Sequence, residues 1–218
     1  MANYDAVLFD FDGTLIDSSR GIFESLIYAL KCGGVDEPDM ATLRKFIGPP
    51  IYDSFKNLFN FSEDEIEFEI NKYREHYSTG GLYEYDIYEG IPELLKALHE
   101  NGVKIATASS KPRKFIEIIL EHSGIGKYID YIGGTSFDEK GAAKTGILLN
   151  AMESLGCTDK SRVIMVGDRK YDIDGAKGAG IATIAVLYGF GSREEFEEHG
   201  AEFIVENTKE IENIIFGE

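Results

Sequence analysis

From residue 86 onward the chain alternates between two periods with little slack between them. GIPELLKALHENG reads as a helix closed by glycine, VKIATAS as a strand, PRKFIEIILEHSG as a helix with proline in its first turn, and YIDYIGG as a short strand. KTGILLNAMESLG, RVIMVGD, DIDGAKGAG and IATIAVLYG continue as helix, strand, helix and strand, and EEFEEHG, AEFIVEN and a closing helix finish the series. The strands are near-continuous apolar runs, the pattern of strands buried on both faces. Such strands in alternation with helices predict an α/β fold, a mostly parallel sheet covered by helices on both sides. YDAVLF at 4–9 is a strand of the same kind and belongs in that sheet.

Between this first strand and Tyr85 the pattern is helical. Ile22, Phe23, Leu26, Ile27 and Leu30 recur at helical spacing up to the Gly33–Gly34 pair, and two short stretches near 39–47 and 51–59 flank the breaker GPP at 48–50. Ser62 and Glu65 have the form of a capping box, and Ile66, Ile70, Tyr73 and Tyr77 continue one apolar face. The expected organisation is a core of 1–14 and 86–218 with an all-helical insertion at 15–85 whose crossings lie near 15–18 and 82–88.

The formal charge is −17, which disfavours a nucleic acid polymer as partner, whereas a small phosphorylated metabolite can still be held where a metal ion and a lysine reverse the local potential. No run approaches the roughly 18 apolar residues that span a bilayer, and the first apolar run is too short and too acidic for a signal peptide. The expectation is a cytoplasmic protein without membrane contact, a monomer or small homodimer. Cys32 and Cys157 stand far apart without ligand spacing and read as structural thiols, and His76, His99, His122 and His199 as helix or helix-end residues.

Ligands of open parallel sheets sit beyond the carboxyl ends of the strands. There the first strand delivers Asp10 and Asp12, VKIATAS delivers Ser109, Ser110 and Lys111, the later helix KTGILLNAMESLG starts at Lys144, and RVIMVGD delivers Asp168 with Asp172 four residues on. Any one acid after a strand is commonly a turn former or helix cap. Several brought together in an already acidic protein repel one another unless a cation intervenes. Oxygen ligands alone point to a hard ion, with Mg²⁺ the natural choice.

These residues are also motifs. Asp10-Phe11-Asp12-Gly13-Thr14, Ser109 ending IATAS, Lys144 in GAAKTG (Lys140 being the weaker alternative) and Gly167-Asp168-Arg169-Lys170-Tyr171-Asp172 resemble, in order and spacing, a haloacid dehalogenase superfamily hydrolase of the phosphoglycolate phosphatase type. The resemblance implies a Rossmann-like core with a helical cap and a Mg²⁺-dependent phosphomonoester hydrolase. Asp10 is then the nucleophile that forms an aspartyl-phosphate and Asp12 the acid/base. Asp10, the Asp12 carbonyl, Asp168 and Asp172 hold the metal, with Asp172 acting directly or through water. Gly13, Ser109, Ser110 and Lys144 receive the phosphate, and Thr14 steadies the loop. Asp12 favours phosphoryl transfer over carbon–halogen cleavage, because a halide needs no proton to leave.

Arg169 departs from the small hydroxyl residue of many relatives. It is expected to pair with Asp172 or a neighbouring acid, or else simply to follow the strand at the surface. Phosphoglycolate, a nucleoside monophosphate and a sugar phosphate are the candidate substrates, in that order. A β-phosphoglucomutase-like phosphotransferase and a binding module on an inactive scaffold remain alternatives. In the insertion, Arg44 and Lys45 before FIGPP are the candidate leaving-group contacts ahead of Lys56 and Arg74. The tyrosines at 73, 77, 83, 85 and 88 read as packing between insertion and core.

Overall fold

The computed structural model describes residues 2–36, 38–137 and 143–217. Strand β1 (Ala6–Phe9) is followed by a two-residue strand β2 (Ile16–Asp17) and helices α1 (Ser19–Cys32), α2 (Met40–Arg44), α3 (Ile51–Leu58) and α4 (Glu63–Thr79). After β3 (Asp86–Ile87) come α5 (Ile91–Glu100), β4 (Lys104–Pro112), α6 (Arg113–Ser123), β5 (Tyr131–Thr135) and α7 (Lys144–Leu155). The remainder is β6 (Val163–Gly167), α8 (Lys170–Ala179), β7 (Ala182–Val186), α9 (Arg193–Glu198), β8 (Phe203–Val205) and α10 (Thr208–Phe216).

Six strands form one sheet in the order β5-β4-β1-β6-β7-β8, with every pairing parallel. Counting only these strands along the chain, the order is 3-2-1-4-5-6, the doubly wound arrangement whose direction reverses beside β1. β1 is wholly buried, and its alternate residues feed two different cores. Ala6 and Leu8 pack with Leu148, Ala151 and Met152 of α7 and Ala176 of α8. Val7 and Phe9 join a larger cluster that continues without a break into Leu26, Phe55, Ile66 and Tyr77 of the helical segment.

The helical segment has one feature that its periodicity hides. Ile16–Asp17 is extended and pairs antiparallel with Asp86–Ile87, so the two chain crossings are tied to each other as a short ribbon. Two residues are too few for a period to register. Ser62 and Glu65 form the expected capping box, each side chain bonding the other's backbone N–H. β4 outruns the predicted VKIATAS by three residues, because Pro112 lies opposite Thr135 after a register shift. The predicted strand YIDYIGG begins later, at Tyr131, behind a short 3₁₀ turn at Gly126–Tyr128. Among the described residues no helix is long and apolar enough to cross a membrane.

Candidate active site

Asp10 leaves the end of β1, its N–H donating to Val166 O at 2.9 Å, and Asp168 leaves the end of the adjacent β6. These are the two strands at the switch point, where a doubly wound sheet opens a crevice. Between them the chain turns at Gly13, whose φ is 88°. A Cβ at Gly13 would collide with the Asp168 carboxylate, so glycine is required for space as well as for conformation. Thr14 Oγ1 donates to Asp168 Oδ1 at 3.1 Å and Phe190 N–H to Asp168 Oδ2 at 2.9 Å.

Asp172 stands in the first turn of α8 and its Oδ2 accepts from the N–H groups of Asp168 and Arg169 at 3.1 and 3.0 Å, an anion seated at a helix N-terminus. Lys144 opens α7 and crosses over Gly175 of α8, where a Cβ would stand 2.6 Å from its Cγ. Its Nζ donates to Asp10 Oδ1 at 2.8 Å and lies 2.7 Å from Asp172 Oδ1, an ion pair off hydrogen-bond geometry. Lys140, the alternative lysine, lies outside the described residues.

Asp10, Asp168 and Asp172 are all buried and present carboxylate oxygens within 4.8 Å of one another. Burial, with Asp172 adding to it, pushes the Asp10 carboxyl above the usual range against the pull of Lys144. Among the described residues no lysine pairs with Asp168, and burial, Asp172 and Asp10 drive its pKa well upward. Burial opposes the Lys144 ammonium, yet Asp10 and Asp172 together hold its pKa above that of an ordinary lysine. Three crowded oxygen donors with one cation among them fit a hard divalent ion such as Mg²⁺.

Asp12 faces elsewhere. Its Oδ1 accepts from Ser18 Oγ at 2.5 Å and from Lys111 Nζ at 2.8 Å, and Lys111 also reaches Oδ2 at 3.1 Å. Ser109 is buried close to Asp10, whose raised pKa it tempers slightly, and its Oγ accepts from the N–H of Lys111 at 3.3 Å. Asp10, Asp12, Ser109, Ser110 and Lys111 form one wall of a cleft of about 360 Å³. The helical segment adds Phe46, Tyr52, Tyr73, Arg74 and Tyr77 to the lining, and Phe115 and Phe137 complete it.

Arg44 and Lys45 are exposed and off this cleft, because α2 turns Leu43 inward and sends the next two residues to solvent. Arg74, ranked below them in sequence, lines the cleft and donates to Phe137 O at 2.7 Å. Arg169 pairs with Glu195 at 3.0 Å rather than with Asp172, and its NH1 donates to Ile47 O at 2.5 Å. Sequence reasoning placed Lys111 after Ser109 and Ser110 at the strand end but gave it no role, yet a signal was present. Thr107, Ser109 and Lys111 fall at a spacing of two on one strand and so share a face.

A parallel sheet with paired acids, a buried lysine and a hydroxyl at its switch point defines a hydrolase of the phosphoryl-transfer kind. The chain belongs to the haloacid dehalogenase-like hydrolases, whose family model matches residues 7–186. It is 39% identical over 196 residues to the 5′-nucleotidase of Pseudomonas aeruginosa, covering 90% of this chain and 88% of that protein. The phosphoglycolate phosphatase of Vibrio parahaemolyticus is 29% identical over 218 residues, covering 96% and 95%. Among solved structures, a predicted phosphatase from Clostridium acetobutylicum superposes with a TM-score of 0.91 at 41% identity, covering 95% and 96% of the two chains. The protein is a phosphatase of this family.

Proposed function

We propose that the protein is a Mg²⁺-dependent phosphomonoester hydrolase that works through an aspartyl-phosphate on Asp10, with residues 15–85 acting as a cap over a core of 1–14 and 86–218. One observation carries the reading: Asp10 lies at the same time in the buried oxygen cluster with Asp168 and Asp172, against Lys144, and on the wall of the cleft. Asp10, Asp168 and Asp172 would hold Mg²⁺, which supplies charge to the phosphoryl oxygens. An Asp10 oxygen attacks phosphorus as the bond to the leaving oxygen breaks, and Asp12 gives that oxygen a proton. Water then attacks the phosphorus of the aspartyl-phosphate, Asp12 takes its proton, and phosphate leaves. Ser109 and Lys144 bind the phosphoryl oxygens meanwhile.

The cleft walls favour a nucleoside monophosphate as substrate. Phe46, Tyr52, Tyr73, Phe115 and Phe137 offer flat apolar faces in about 360 Å³, far more room than a two-carbon acid fills. The name of the Pseudomonas relative points the same way. Phosphoglycolate, first in the order drawn from sequence, stands second, because its extra carboxylate would meet a wall that carries Glu63 and Glu67.

Phosphate release from nucleoside monophosphates, phosphoglycolate and hexose phosphates, with and without Mg²⁺, tests this directly. The expected result is metal-dependent release ranked by kcat/KM with nucleoside monophosphates first. In Asp10→Asn, kcat falls by about 10⁴ or more. Release that survives Asp10→Asn would sink the aspartyl-phosphate reading, and phosphoglycolate in first place would overturn the substrate order.

A further inference from the structure

We propose that Lys111 is a positioning residue for Asp12, and that Tyr77 of α4 fixes it in that role while presenting its own hydroxyl proton to the group bound in the cleft. The inference rests on the reading of Asp12 as the acid/base of the phosphatase reaction.

An ammonium has three N–H donors and no lone pair. Lys111 Nζ has three oxygen neighbours at bonding distance, Asp12 Oδ1 at 2.8 Å, Asp12 Oδ2 at 3.1 Å and Tyr77 Oη at 2.6 Å. Because the two oxygens of one carboxylate subtend a far smaller angle at Nζ than two N–H bonds do, they share one N–H, and Tyr77 takes a second. Lys111 is thus held between the Asp12 carboxylate and the Tyr77 hydroxyl. The unequal distances matter for Asp12. Oδ1 is gripped by both Lys111 and Ser18, whereas Oδ2 has the single longer contact and is the oxygen left to exchange a proton in the cleft.

Because lysine can only donate, Tyr77 Oη must accept in their contact. The phenolic hydrogen then has no acceptor among the described residues, although the side chain lines the cleft. Burial, with Asp12 adding to it, raises the Tyr77 pKa well above that of an ordinary tyrosine, so the proton stays on the oxygen. The ring cannot swing aside easily, since it stacks on Tyr73 at 5.3 Å and meets Phe115 edge-on at 5.2 Å. Lys111 Nζ also lies 4.8 Å from the ring centroid. A residue of the helical segment is thereby bonded through one lysine to the group that moves the proton in the core.

The test compares p-nitrophenyl, phenyl and benzyl phosphate, three aromatic esters of similar size whose leaving oxygens are progressively more basic. It reads kcat/KM, which reports the step that expels the leaving group. A well-placed general acid contributes about 10²–10⁴-fold to such a step, and most where the leaving oxygen is basic. Lys111→Met is expected to lose at least about 30-fold more on benzyl than on p-nitrophenyl phosphate. Tyr77→Phe, one oxygen smaller, should show the same trend at several-fold and supplies the comparison if Lys111→Met does not fold. A loss equal across the three esters would make Lys111 a phosphate-binding group and overturn the proposal, as would no loss at all. With wild type and Asp10→Asn assayed alongside, a flat profile in an active wild type condemns only the role of Lys111. Turnover that survives Asp10→Asn condemns the reading beneath it.

Discussion

Gly13 concentrates the demands of the site in one residue. It must hold a positive φ so that the chain can double back after Asp12, and it must leave room for the Asp168 carboxylate directly across from it. The strain of a left-handed L-residue is about 1 kcal/mol, while the collision has no relief because Thr14 and Phe190 fix that carboxylate. Gly13→Ala is therefore expected to lose phosphatase activity by at least about 10²-fold with a clearly lowered Tm, read by phosphate release and thermal denaturation. A variant that kept both would show that the Asp168 loop can give way. The pair Asp10 and Asp12 makes the complementary point about distance. They are two residues apart, yet one faces Asp168, Asp172 and Lys144 and the other faces Lys111 and Ser18.

Helix α4 shows what an element can carry beyond its period. Its buried face includes Ile66, Ile70 and Tyr77, as the spacing predicts, but also Glu69, which is 2% exposed. Glu69 packs against Gly33 at the end of α1, where a Cβ would overlap its carboxylate, and its Oε2 has no hydrogen-bond partner among the described residues. Burial, with Glu65 adding to it, pushes its pKa up to about 7. In the unfolded chain this carboxyl ionises near pH 4.3. Between that value and about 7 the folded state keeps a proton that the unfolded state has lost, so stability falls as pH rises through the window and then levels off. Glu69→Gln mimics the protonated side chain. Its stability gain over wild type should grow by about 2–3 kcal/mol from pH 5 to pH 8, most of it below pH 7. Denaturant titrations of both proteins at the two pH values measure it. A constant offset would mean that Glu69 stays ionised in the fold.

At the scale of the whole molecule, Arg169 joins parts that are far apart in the chain. It follows β6 in the loop of Asp168, reaches Glu195 of α9 and bonds the carbonyl of Ile47 in the turn before α3. Removing it leaves a buried stretch of loop without its tie to the helical segment. Arg169→Ala should cost about 1–3 kcal/mol in stability, the worth of hydrogen bonds to a charged group, and raise KM more than it lowers kcat, since Arg169 does not touch Asp10. Thermal denaturation and steady-state kinetics on the same preparation check both halves. A fall in kcat alone would place the residue in the chemical step.

The fold was legible because its signals are local. A strand buried on both faces must be apolar along its length, a helix must repeat near 3.6 residues, and an acid that ends such a strand stands at the carboxyl edge of the sheet. Those rules, read along the sequence, set the parallel sheet, the helical insertion after β1, and the convergence of Asp10, Ser109, Lys144, Asp168 and Asp172 at one edge. The tertiary structure alone decided which atom meets which. Lys111 bridges Asp12 and Tyr77, the Arg169 guanidinium takes Glu195 as its acid and adds the carbonyl of Ile47 while only the backbone N–H of that residue meets Asp172, Arg74 lines the cleft, and Arg44 and Lys45 turn to solvent. Each of these contacts joins segments distant in the chain, or depends on which way a short helix is rotated. They are therefore fixed by packing and register across the molecule, which no local spacing encodes.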